Sequence, residues 1–195
     1  MHDTENAFDA HATFDAEVQA LPSQIKPFIR KRQGEDYSRT WEYYTGAYGR
    51  AFDELAELAL QLGSVGQLAE PIMYLCRHSM ELSIKSVIIE YAKSTGEEPK
   101  IGGHSLLVLW NEFERQIGAA GFDPEDDWGL YCRKLVEHLH EADPDGERFR
   151  YPANRKGKTF ELTDLKLREL MVAHWHVGLY CDGSGEMLGA LGRAS

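Results

Sequence analysis

The sequence predicts an all-α protein, an antiparallel bundle of about five helices over residues 37–185. Three observations carry this. Apolar residues recur at three- and four-residue steps along most of the chain. The periodic stretches end at Gly or at Asp/Pro/Gly clusters. The links between them are short, with no internal repeat, heptad series or low-complexity tract, which predicts an up-and-down order.

Residues 1–36 read as an N-terminal arm that is partly ordered. Phe8, Phe14 and Val18 suit one face of a short helix, and Pro22, Pro27 and Gly34 break any continuation of it. The first long helix spans residues 37–62, with Tyr37, Trp41, Tyr44, Tyr48, Phe52, Leu55, Leu58 and Leu62 in register and Gly63 as its stop. The second spans about residues 65–94 and closes on Gly96. The third comes after Gly102 and Gly103 and carries Leu106, Leu109, Trp110, Phe113 and Ile117. Asp123, Pro124, Glu125 and Asp126 predict a fourth helix capped by Asp123 with Pro124 in its first position. It stops at residues 143–146. A loop over residues 147–161 precedes a last helix from Thr163 or Asp164 to Gly183, leaving residues 186–195 as a tail. Tyr48, Phe52, Leu75, Met80, Ile84, Trp110 and Leu135 are the expected core.

At 195 residues, with 43% hydrophobic and 27% charged residues, the chain is long enough to bury a core without disulfides or metals. Its net charge of −11 opposes sequence-blind attraction to nucleic acid or anionic lipid. Cys76, Cys132 and Cys181 are odd in number, form no CxxC and fall in apolar helices, so they are expected as buried free thiols. Residues 1–20 are acidic, not laid out as a signal peptide, and charges break every apolar run too soon to span a bilayer. The expected location is the cytoplasm.

The second helix is chemically unusual. One face holds Met73, Cys76, Met80, Ile84, Val87 and Tyr91, and another holds Leu68, Ile72, Leu75 and Leu82. Between them run a small stripe, Ser79, Ser83 and Ser86, and a charged stripe, Arg77, Glu81 and Lys85, flanked by Tyr74 and His78. A helix apolar on two sides sits centrally, so its charges are paired or functional. An internal ion network and a polar site both satisfy that requirement. Partners are expected from His104 in the Gly-Gly-His turn and from Arg150 or Tyr151 in the loop, with Glu81 as the hub.

Residues 77–85, RHSMELSIK, are succeeded in order by Gly103-His104-Ser105-Leu106, Leu109-Trp110, Asp143-Pro144-Asp145-Gly146 and Phe149-Arg150-Tyr151-Pro152. This ordered set resembles a prokaryotic branch of the HEPN superfamily, helical domains found in toxin–antitoxin and phage-defence systems, over about residues 65–180. The resemblance implies a helical bundle, usually a homodimer, with an antitoxin or other defence protein as a possible partner. Its catalytic members cut RNA without metal through an Arg, four to six residues, then a His, facing the same motif across the dimer cleft. The chain departs from that pattern: no His comes after Arg148 or Arg150 at the required distance. Formal matches occur elsewhere, Arg133 with His138 or His140 and Arg168 with His174, at about the one or two that chance supplies. Arg133 and His138 point about 140° apart on one helix, whereas Arg133, Glu137 and His140 share a stripe. Arg133, His138 and His140 are the candidate catalytic residues, beside the alternative of a catalytically silent binding or scaffold module.

His138-x-His140 and His174-x-His176 place their rings on nearly opposite sides of a helix, so neither pair chelates one ion alone. No metal and no cofactor are expected. The loop carries Arg148, Arg150, Arg155, Lys156 and Lys158 with Phe149 and Tyr151, the best contact surface for RNA or a nucleotide in an acidic chain. Its alternative is structural: the Phe-Arg-Tyr-Pro half pinned to the fold with Arg150 paired to Glu81, and only Arg155, Lys156 and Lys158 solvated. Residues 29–32 form a second, shorter basic spot. No P-loop, dinucleotide fingerprint or nucleophile elbow is present.

Overall fold

The computed structural model describes residues 15–16, 19–20, 36–161 and 164–194. The readings placed on Phe8, Phe14, Val18, residues 29–32 and Thr163 lie outside the described residues. The chain divides into two compact units, Met1–Glu35 and Asp36–Ser195. In the first, the four described residues are helical. The second is an all-α bundle of five α-helices: α1 (Trp41–Leu62), α2 (Ala69–Thr95), α3 (Leu106–Ala119), α4 (Asp127–Ala142) and α5 (Leu167–Ala194).

Local chemistry sets the boundaries. Thr40 caps α1 by accepting from the Tyr43 N–H at 3.1 Å, and Gly63 ends it in the left-handed region at φ 68°. α2 begins four residues later than the periodicity predicts, after a 3-10 turn at Gly66–Leu68. Pro71 then falls in its first turn, where its missing N–H has no intrahelical role. The fourth helix also differs. Asp126 caps α4, accepting from the Gly129 N–H at 2.6 Å, while Asp123 folds on itself to accept from the Glu125 N–H. Asp123 and Pro124 therefore form a turn ahead of the helix. α5 does not stop at Gly183 but runs to Ala194, so the expected tail is helical in its described part. A single interior Gly costs only about 1 kcal/mol, too little to end a helix that packs on α2.

α2 is the central helix, packed against α1, α3 and α5, with α4 closing against α3 and α5. Contacts give the directions. Tyr48 meets His78 while Leu55 and Leu75 line one hollow, so α1 and α2 are antiparallel. Ser79 meets His174 and Tyr91 meets Ser184, so α5 advances with α2. The connection over residues 96–105 travels back along α2, so α3 starts beside Glu81 and also advances with α2. That return path is what positions the site.

Phe52, Met80, Ile84 and Trp110 are buried with Ile72, Ile88, Leu109, Phe113 and Val136 around them. Tyr48, Leu75 and Leu135 are only half-buried. Tyr48 leans on the His78 ring, Leu75 borders the α1/α2 hollow, and Leu135 lines a groove of about 530 Å³ with Met73, Met80, Phe149 and Leu170. The serine stripe admits close packing: a Cβ on Gly49 of α1 would lie 3.3 Å from Ser79 Oγ. The three cysteines are buried and free of disulfides, and burial pushes the Cys132 thiol up to about 12. No helix among the described residues is long and apolar enough to cross a membrane.

Candidate functional site

Arg77, Glu81 and Lys85 succeed one another by single turns of α2 and are all buried. Buried charges of this kind persist only when paired and hydrogen-bonded. Glu81 holds both cations: Arg77 NH1 donates to Oε2 at 3.0 Å and Lys85 Nζ to Oε1 at 2.8 Å. The Gly-Gly-His turn supplies carbonyls. Lys85 donates to the Gly103 oxygen at 2.9 Å and Arg77 NH2 to that of His104. Gly103 makes that turn at φ 77°. His104 then places Nδ1 3.0 Å from Glu81 Oε1, with its side chain 59% exposed.

A second acid closes the network. Asp143 caps the end of α4, where its carbonyl accepts from Arg77 Nε at 3.2 Å and its Oδ2 lies 3.2 Å from the same nitrogen. Its Oδ1 accepts from the Arg148 N–H at 3.0 Å. Gly146, at φ 77°, lets the chain pass so close that a Cβ there would lie 3.1 Å from Arg77 NH1. Glu81 is thus not the sole acid of the cluster. Asp143 and Gly146 read from the sequence as a helix stop and as part of the resemblance, not as members of the cluster; an acid in that stop directly before a basic loop is the signal that marks them.

The network has an outer rim. A hollow of about 50 Å³ is lined by Tyr74, Arg77, His78, Glu81, His104, Gly146 and Arg150. His78 stacks parallel to Tyr74 at 5.6 Å between centroids and meets Tyr48 edge-on at 4.4 Å. Arg150 donates through Nε to the Gly146 carbonyl at 2.6 Å. It makes no bond to Glu81, against the expected pairing, because its backbone is tied to Glu147 and its guanidinium turns to the Tyr151 ring, 5.6 Å away. Tyr151 is exposed and lies outside the hollow, lining instead a neighbouring pocket of about 360 Å³ with Glu70, Arg148, Phe149, Arg150 and Phe160.

Electrostatics derive from this geometry. Burial pushes the Glu81 carboxyl up, but the hydrogen bonds and charges of Lys85 and His104 outweigh it, and Glu81 stays below the ordinary carboxylate value. Burial lowers His78, helped by the charges of His104, Lys85 and Arg77 and opposed by Glu81. The chemical result is a fixed carboxylate holding one imidazole by Nδ1, with His104, His78 and Arg150 lining the hollow.

The other basic loop residues divide. Arg148 is structural, donating to the carbonyls of Ala142 and Glu161. Arg155 is exposed, as expected, and its guanidinium also reaches the buried Glu147 carboxylate. Lys156 and Lys158 are exposed on a tight turn whose N–H groups Asn154 Oδ1 accepts.

The formal Arg–His pairs do not meet. Arg133 faces α3, where its guanidinium engages Glu114 and Asn111, and it also pairs with Glu137 at 2.9 Å. His138 opens instead onto the 530 Å³ groove between α2, α4 and α5. His140 is half-buried with its Nδ1 enclosed and unbonded. His174 is half-buried against Phe52 and Ser79, and that burial lowers its pKa to about 4. His176 accepts or donates at Tyr131 Oη, 3.1 Å away, among aromatic rings. No three metal-ligating side chains cluster among the described residues. Compared with protein-family models, with curated proteins and with solved structures, the chain matches none.

Proposed function

We propose that this chain is a HEPN-like helical protein of RNA- or nucleotide-related defence or stress biology, and that it binds a phosphate group of RNA or a nucleotide at the hollow over the Arg77–Glu81 network. The observation that carries the reading is the rim. Arg150, whose side chain among the described residues hydrogen-bonds only through Nε, stands beside His78 and His104 above two buried cations. Guanidinium and imidazole N–H groups match phosphate oxygens, and the adjoining pocket offers Phe149, Tyr151 and Phe160 to a base or sugar. In this reading the protein works in the cytoplasm as a homodimer, with an antitoxin or another defence protein as its further partner. Anisotropy of a labelled single-stranded RNA tests it: Arg150→Ala weakens binding about tenfold or more with the melting temperature unchanged. Equal binding by wild type and variant rejects the hollow as the site.

One observation favours metal-independent RNA cleavage as a second reading. Glu81 holds His104 by Nδ1 and leaves Nε2 outward, the arrangement that readies an imidazole to take a proton from a ribose hydroxyl. Cleavage of single-stranded RNA in EDTA, lost in His104→Ala, supports it. No cleavage leaves a binding module.

A further inference from the structure

The α5 helix presents an apolar stripe to the outside. Val172, Trp175 and Leu179, at steps of three and four residues, are 48%, 61% and 47% exposed. The apolar surface continues on to α4, since the His176 ring meets Trp175 at 5.1 Å and Trp128 at 5.0 Å, and Tyr131 at 5.4 Å. A contiguous aromatic surface with a polar border is a protein-interaction surface.

Its ends identify the occupant. Arg168 lies seven residues before Trp175 and Asp182 seven residues after it, both exposed and neither in an ion pair among the described residues. Seven residues are about two helical turns, so both charges fall on the stripe that carries Trp175. Burial, Glu186 and Glu42 hold the Asp182 carboxyl above the ordinary value. Outward from Trp175, the face runs apolar to positive in one direction and apolar to negative in the other. In an antiparallel copy of the same helix residue 175+n meets 175−n across a two-fold axis, which sets Asp182 against Arg168 and Leu179 against Met171. At Gly178 nothing lies within 4 Å of a would-be Cβ, which leaves room for Val172 of the facing copy.

We propose that a second copy of this chain docks here, α5 against α5 in antiparallel, with Trp175 at the two-fold axis and Arg168 of each copy paired to Asp182 of the other. The proposal rests on the homodimer reading above but fixes a face that the resemblance does not.

Light scattering after size-exclusion chromatography at micromolar concentration is the test, with circular dichroism as the fold control. Wild type is expected at twice the 22.1 kDa chain mass. Trp175→Glu is expected to weaken association about thirtyfold or more. Arg168→Asp and Asp182→Arg, each alone, set like charges together at both ends and give monomers. Mixed one to one, they restore opposite charges at both ends and form the dimer again. Dimers in all single variants, or failure of the mixture to associate, overturn this face while leaving a dimer by another surface. A wild-type monomer overturns both the face and the homodimer reading.

Discussion

Arg77 and Asp143, 66 residues apart in sequence, meet where the Arg77 Nε donates to the Asp143 carbonyl and lies 3.2 Å from its Oδ2. That contact ties the middle of α2 to the end of α4 and sets where the loop over residues 147–161 begins. The Arg77 guanidinium also reaches Glu81 and the His104 carbonyl, so one side chain joins three chain segments. Removing one member of a buried charged network strands the others.

Glu81→Ala therefore destabilises the protein by about 3–5 kcal/mol, because Arg77 and Lys85 stay buried without their shared carboxylate. Denaturant unfolding measures it. A loss under about 1 kcal/mol contradicts the description of these charges as interior.

Gly146→Ala destabilises by more than about 1 kcal/mol for two reasons, the left-handed φ of 77° and the 3.1 Å approach of Arg77 NH1. Gly157 has the same φ with nothing within 4 Å of a Cβ, so Gly157→Ala is the control that carries strain alone. Equal losses in the two variants remove the packing contribution.

Much of the bundle was legible in the residues themselves. Gly63 and Gly96 end α1 and α2 where the periodicity stops, and the two-faced pattern of residues 68–91 places α2 at the centre. The helix direction was not legible. Short links suggest an up-and-down order, yet residues 96–105 return along α2, held by Gly103 and His104 carbonyls on buried cations that no periodicity reports. The convergence of Arg77, Glu81, Lys85 and His104 comes from charge balance on a buried helix. Arg150 at the rim does not, since a local carbonyl bond to Gly146 decides its direction. The same holds for Arg133, whose nearest acids, Glu114 and Glu137, take it from any histidine.

Ile84→Ala costs about 2–5 kcal/mol, since Ile84 is fully buried in the core and its loss leaves a cavity. Leu75→Ala costs less, because Leu75 is half-buried beside the α1/α2 hollow and its removal opens to solvent. Reversal of that order contradicts the packing.

Acid sensitivity originates in His174. Its pKa in the fold is about 4 against an ordinary 6.5, because burial beside Phe52 disfavours the imidazolium. The unfolded chain therefore binds more protons than the folded one between these values, and stability falls as pH drops. The contribution is fully present above pH 6.5 and is lost progressively toward pH 4; 2.5 units correspond to on the order of 3 kcal/mol. His78, also lowered by burial, adds in the same sense. Glu81 acts lower on the scale, its stabilisation present above the ordinary carboxylate value of 4.5 and lost as pH falls through its depressed one. His174→Gln cannot take up a proton and still offers a polar atom to Ser79. Unfolding free energies measured from about pH 7.5 to 4.5 are expected to drop more steeply for wild type than for His174→Gln, and parallel curves contradict a His174 held neutral by the fold.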